Sequence, residues 1–184
     1  MMKNLITRLR RFGRDETGNV AIESVIFMPL ILSIMAATFS FHDAFRHKSL
    51  NIKAAYTISD AISRQTDPIN NAYLDGMVEL MEFLTRSAGP YSLRVSLVRW
   101  NNKKSKYIVE WSKTRGDFNR YKTRDLKAIE SQLPTLLHNE RVIVVETSTD
   151  YVPPMTVPGL PAQEFYNFGF TRPRFAPKIV WSDS

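Results

Sequence analysis

The sequence predicts an α+β fold in which a long N-terminal membrane helix is followed by a small antiparallel sheet packed with two or three helices. Three observations predict it. A basic leader precedes a long apolar stretch. Apolar residues then keep helical spacing well beyond that stretch. The later chain alternates apolar and polar residues in runs divided by turn-forming residues. The expected organisation is a leader over 1–18, a transmembrane helix over 19–41, a juxtamembrane extension over 42–67 and an extracytoplasmic α+β domain over 68–184.

The leader carries Lys3, Arg8, Arg10, Arg11 and Arg14 against Asp15 and Glu16, a net +3 out of the chain's +7. The 17 residues from Val25 to Phe41 contain no charge. They make about 26 Å of helix, or about 33 Å counted from Val20, against a hydrocarbon core about 30 Å thick. Pro29 lies inside this run, where membrane helices tolerate proline. The basic leader keeps the N-terminus in the cytoplasm and sends the rest of the chain across. The apolar core exceeds the roughly 7–15 residues of a secretory signal peptide, and FHDAFRHKSLN after it offers a poor cleavage site.

Glu23 is the exception in this greasy stretch. A charge at the centre of a membrane helix costs about 2.5–3.5 kcal/mol, so Glu23 either sits at the lipid interface or has a purpose. It stands five residues after Gly18. Further along, Ser33-x-x-x-Ala37 and Ala36-x-x-x-Ser40 have the small-residue spacing that lets membrane helices approach closely.

Beyond the span, Leu50, Ala54, Ile58, Ala61 and Ile62 extend the helix until Thr66-Asp67-Pro68 ends it. A second helix is expected over 72–87, capped by Asn70 or Asn71, with Leu74, Met77, Val78, Met81 and Leu84 on one face and Gly89-Pro90 as its stop. YSLRVSLVRW and SKYIVEWSK read as a hairpin joined by Asn101 to Lys104, with Tyr107, Val109 and Trp111 on one face. A third helix is expected over 120–138, kinked or restarted at Pro134, with Leu126, Ile129, Leu133, Leu136 and Leu137 on one side and His138 near its terminal carbonyls. Arg141 to Tyr151 reads as a central strand covered on both faces, because Val142 to Val145 is continuously apolar. A last edge strand is expected in FAPKIVW, Phe175 to Trp181.

Three stretches carry a resemblance to a known family. FGRDETGNVAIESVIFMPLIL, from Phe12, has a glycine, a glutamate and a proline-containing apolar helix. ERVIVVETSTDYVPP, from Glu140, is a valine-rich strand leading to Tyr and Pro. TRPRFAPKIVW, from Thr171, ends the frame. Together they resemble the TadE-like family of Flp/Tad (tight adherence) pilus assembly pseudopilins. The resemblance implies a pilin-like fold and cleavage between Gly18 and Asn19 by a prepilin peptidase. It also implies Glu23 as an assembly carboxylate, while the small-residue spacing marks Ser33, Ala36, Ala37 and Ser40 as a helix-packing face. The implied partners are other pilin and pseudopilin subunits, the Tad inner-membrane machinery, the peptidase and the lipid bilayer. The implied location is the inner membrane or the pilus, single pass, N-terminus in, domain periplasmic. Ser24 departs from the tyrosine that usually follows the glutamate in major Flp pilins, which are also far shorter, so an accessory pseudopilin is expected. The alternative is an uncleaved, signal-anchored periplasmic binding or scaffold domain that contacts anionic polymers through basic residues 99–106.

Rival classes find little support. The chain has no cysteine and hence no disulfide or thiolate chemistry. His42 and His47 diverge by about 140° on a helix, which does not suit a shared metal ion. No phosphate loop, nucleophile elbow or zinc-protease motif occurs, so neither enzyme activity nor a cofactor is expected. Nucleic-acid binding through Arg99 to Lys106 is disfavoured against a solvated hairpin tip.

Overall fold

A computed structural model describes residues 17–87 and 89–183, with side chains from Val20 onward. Its first element, α1, is one continuous helix of 47 residues, Thr17–Ser63, about 70 Å long. Pro29 is accommodated without a break. Helix α1 ends three residues before the expected Thr66. Its last carbonyl, on Ser63, is taken by the backbone N–H of Arg174 at 2.8 Å, so a distant segment supplies the cap the local sequence lacks. Helix α2, Asn71–Thr85, starts where Asn70 accepts a hydrogen bond from the Tyr73 N–H. It stops at Arg86, which adopts the left-handed conformation of a helix C-terminus.

The sheet is antiparallel throughout, in the order β2-β1-β3-β4, with β1 Tyr91–Asn101, β2 Lys106–Arg115, β3 Arg141–Tyr151 and β4 Gln163–Thr171. One face buries Leu93, Val95, Leu97, Ile143 and Val145 against Ala54, Ile58 and Ile62 of α1 and Leu74 and Met81 of α2. Burial of a side chain such as Ile58 or Ile62 contributes about 1.5–3 kcal/mol. The other face buries Val98, Val142 and Val144 beneath Leu126, Ile129, Leu133 and Leu136. With both faces covered, β3 is the buried central strand its valine run predicts.

Three expectations fail for identifiable reasons. The segment 120–138 is not an α-helix but two short 3₁₀ turns, Asp125–Ala128 and Glu130–Gln132. Leu133 is held extended by the following Pro134. The four buried apolar residues keep a helical spacing but reach the core from 3₁₀ turns and extended chain, and Leu137 points to solvent. His138 therefore meets no helix end; its Nδ1 accepts the Asn102 N–H at 3.2 Å. Second, the register shifts so that Val98 pairs with Val109 and Leu97 with Trp111. The bulge at Glu110 sends Trp111 to the helix face while Tyr107 and Val109 stay on the other. Third, the edge strand is Gln163–Thr171, not Phe175 to Trp181. The latter stretch makes only a parallel bridge, Ile69 to Trp181. Pro177 lacks the N–H a longer ladder needs.

Gly116 turns the chain from β2 onto the second face. Its φ is +71°, and a β-carbon there would collide with the Tyr91 carbonyl oxygen, so only glycine fits.

Candidate functional site

The membrane-length half of α1 makes no contact that buries it. Every described side chain from Val20 to Met35 is exposed, Glu23 among them. It is also the one segment among the described residues that is long and apolar enough to cross a membrane. Its exposed hydroxyls are already satisfied: Ser24 donates to the Val20 carbonyl (2.8 Å), Ser33 to Pro29 (2.7 Å) and Thr38 to Ile34 (2.8 Å). In hydrocarbon an unpaired polar group is expensive, and back-bonding to the preceding turn removes that cost.

Gly18 and Asn19 stand in the first turn of α1, and residues 1–16 of the leader lie outside the described residues. Of the four small residues singled out for packing, Ser33 is exposed and Ala36 and Ala37 are half-buried. Ser40 is fully buried within the chain itself. Only the first three remain accessible to another helix.

Just above the apolar run, α1 is sewn to the sheet by a polar seam. The Tyr151 hydroxyl donates to Asp43 Oδ2 at 3.0 Å and lies 3.5 Å from the Ser40 carbonyl. Its ring stacks on Phe165 at 5.2 Å and meets His47 at 5.4 Å. His47 Nε2 is 3.7 Å from Asp43 Oδ1. Two turns on, buried Asn51 donates to the His47 carbonyl (3.0 Å) and accepts from Thr149 Oγ1 (2.6 Å). Burial, then the hydrogen bond to Asp43 and its charge, push the Tyr151 hydroxyl up to about 12.

The opposite sheet face holds a charge with no exposure at all. Glu146 accepts from the Arg94 guanidinium and from the Tyr121 and Tyr166 hydroxyls. Arg94 lies over the Tyr121 ring at 3.7 Å and donates to the Asn119 carbonyl at 2.9 Å. Burial and the Glu146 charge raise the Tyr121 hydroxyl to about 12, and burial with a hydrogen bond to Glu146 pushes Tyr166 higher still. Removing one member of such a pair is strongly destabilising, so the cluster pins the 117–137 cover onto the sheet.

The far hairpin tip is less basic than its sequence. Arg99 and Arg141, cross-strand neighbours, both reach Glu110 at 3.0 Å. Trp100 packs edge-on against Tyr107 at 4.7 Å. Lys103, Lys104 and Lys106 remain exposed and form no ion pair among the described residues.

The stretches read from the sequence also meet one another. Arg174 caps α1 and pairs with Asp60 at 3.1 Å, while Arg172 pairs with Glu140 at 2.8 Å. The Arg-Pro-Arg stretch thus ties the start of β3 to the end of α1. Sequence reasoning missed the seam and the Glu146 cluster. Tyr151 ending a buried strand and Glu146 inside a valine run were the available signals. Comparison with protein families, with curated proteins and with solved structures finds no match for the chain.

Proposed function

We propose that the protein is a non-catalytic pseudopilin, or minor pilin, of the TadE-like kind, acting in assembly of a Tad-type (type IVb) pilus. One observation carries the reading. A single unbroken helix is bare and apolar over a membrane's thickness and then becomes the spine of a small α+β domain. Such a helix can pass from bilayer to filament with its domain attached, because nothing in its first half needs to unfold from the domain. The basic leader places the N-terminus in the cytoplasm and the domain in the periplasm. Glu23, about 7.5 Å above Gly18 along the helix, pairs with the new N-terminal amine of a neighbouring subunit. Ser33, Ala36 and Ala37 give neighbouring helices their closest approach.

The test is intact-mass and N-terminal analysis after co-expression with a prepilin peptidase that is active on a control substrate. The expected product begins at Asn19. A chain still beginning at Met1 leaves a signal-anchored domain instead. Glu23→Gln is expected to insert normally and to impair assembly; normal assembly would reduce Glu23 to an interfacial residue.

A further inference from the structure

The loop joining β3 to β4 lies at the end of the domain where α1 enters its apolar run, and its composition is unusual. From Val152 to Gln163 the 12 residues VPPMTVPGLPAQ contain no charge, although Asp150 and Glu164 stand just outside. The hairpin tip at the opposite end of the sheet carries three lysines in six residues, Asn101 to Lys106. The loop nevertheless exposes apolar side chains: Val152 is 74 % and Met155 48 % exposed.

Register places this loop beside the end of the apolar run of α1. Thr149 bonds Asn51 and Tyr151 bonds Asp43, so β3 descends α1 toward lower residue numbers. Three further residues of extended chain cover about 10 Å, equivalent to six or seven residues of helix. The loop thus reaches the level of the last turns of the apolar run. Its return agrees with that depth: Gly159 stands against the Phe41 ring, where a β-carbon would be 4.0 Å from Cζ. Leu160 joins Ala44, Tyr151 and Phe165 in a small core of its own. Phe45, on the same stretch of helix, is 67 % exposed. Above these aromatics the helix turns cationic, with Arg46, Lys48 and Lys53 all exposed. Apolar core, then aromatics, then cations is the order in which side chains partition from hydrocarbon to headgroups.

We propose that residues 152–162, with Phe41 and Phe45, form a second membrane contact that seats the domain on the phospholipid surface and fixes its tilt relative to α1. Pro153, Pro154, Pro158 and Pro161 stiffen the loop, so little chain entropy is lost on docking. The contact depends on α1 spanning the bilayer but is independent of cleavage after Gly18.

Because the chain lacks cysteine, single spin labels can be placed at will. The full chain is reconstituted in phosphatidylethanolamine–phosphatidylglycerol vesicles with labels at Phe27→Cys, Met155→Cys or Lys103→Cys, and collision rates with oxygen and with a water-soluble nickel chelate are measured. The Phe27 label should report deep hydrocarbon. The Met155 label should show an oxygen-to-nickel ratio several-fold above that at Lys103, at a shallower depth than Phe27. A Met155 label as aqueous as Lys103, with Phe27 still deep, overturns the contact alone. A Phe27 label in water overturns the membrane span and the contact together. A Met155 label shielded from both reagents and broadened by neighbouring labels would mean that a second copy of the chain covers the loop, which also overturns the lipid assignment.

Discussion

The two halves of α1 have the same backbone and opposite surroundings. From Val20 to Met35 every side chain is exposed, and apolar residues surround the whole circumference. From Ala54 to Ile62 the apolar residues form a stripe that is 0–1 % exposed at Ala54, Ile58 and Ile62. A helix apolar all round suits a membrane, whereas a striped helix suits a protein core beside water. Between the halves, Ser40 to Asn51 carries neither pattern and is held by polar contacts to Tyr151 and Thr149. One element thus carries two patterns, all-round hydrophobicity in its first half and one-sided hydrophobicity in its second.

This division predicts that the domain's stability is independent of the first half. The largest effect should come from the buried charge on the sheet face opposite the helix. Arg94→Met leaves Glu146 buried with only tyrosine hydroxyls for partners, and should destabilise the domain by about 3–5 kcal/mol without loosening membrane retention. The double change Arg94→Met with Glu146→Leu should recover most of that loss. If denaturant unfolding shows the double variant no better than the single, the pair is not the reason for the loss. A matched comparison comes next. Ile58→Ala should cost about 2–5 kcal/mol, since it empties a fully buried site. Ile26→Ala should leave the domain's unfolding midpoint unchanged. Equal shifts at the two positions would break the division of α1 into independent halves.

The sequence is legible where local chemistry and tertiary context agree. Asn70 caps α2 as its side chain invites, and the Val142–Val145 run is covered on both faces as its continuity demands. It misleads where a distant residue decides. Leu126, Ile129, Leu133 and Leu136 have a spacing compatible with a helix, but Pro134 and the need to cover a flat sheet face yield 3₁₀ turns instead. Strand β4 was hidden because Asn167 and Gly169 look like breakers; the alternation of Tyr166, Phe168 and Phe170 was the signal available. The Glu110 bulge leaves no periodic trace, since Tyr107, Val109 and Trp111 alternate cleanly in sequence and part only through pairing. Glu146 and Arg94 are 52 positions apart, and no local pattern announces such a partnership.

The smallest effect tests the seam between the halves. Tyr151→Phe removes one hydrogen bond to Asp43 and keeps the ring stacked on Phe165, so it should cost about 0.5–1.5 kcal/mol at neutral pH. Its pH dependence is more telling than its size. The folded protein holds the Tyr151 hydroxyl at about 12 against an ordinary value of 10.0, so the fold favours the neutral phenol. The unfolded chain gains by ionising first, and the stabilisation is therefore fully present below pH 10.0 and is lost as pH rises toward about 12. Tyr121, also held at about 12, contributes in the same window and in the same direction. Both the parent protein and the Tyr151→Phe variant should weaken there, but the variant has no phenolic proton to lose at position 151. The stability curves of the two proteins should therefore converge as pH climbs through the window, read from denaturant midpoints at each pH. Curves that stay parallel would mean that Tyr151 ionises as freely in the fold as in the unfolded chain, and that the seam is held by ring packing rather than by the Asp43 hydrogen bond.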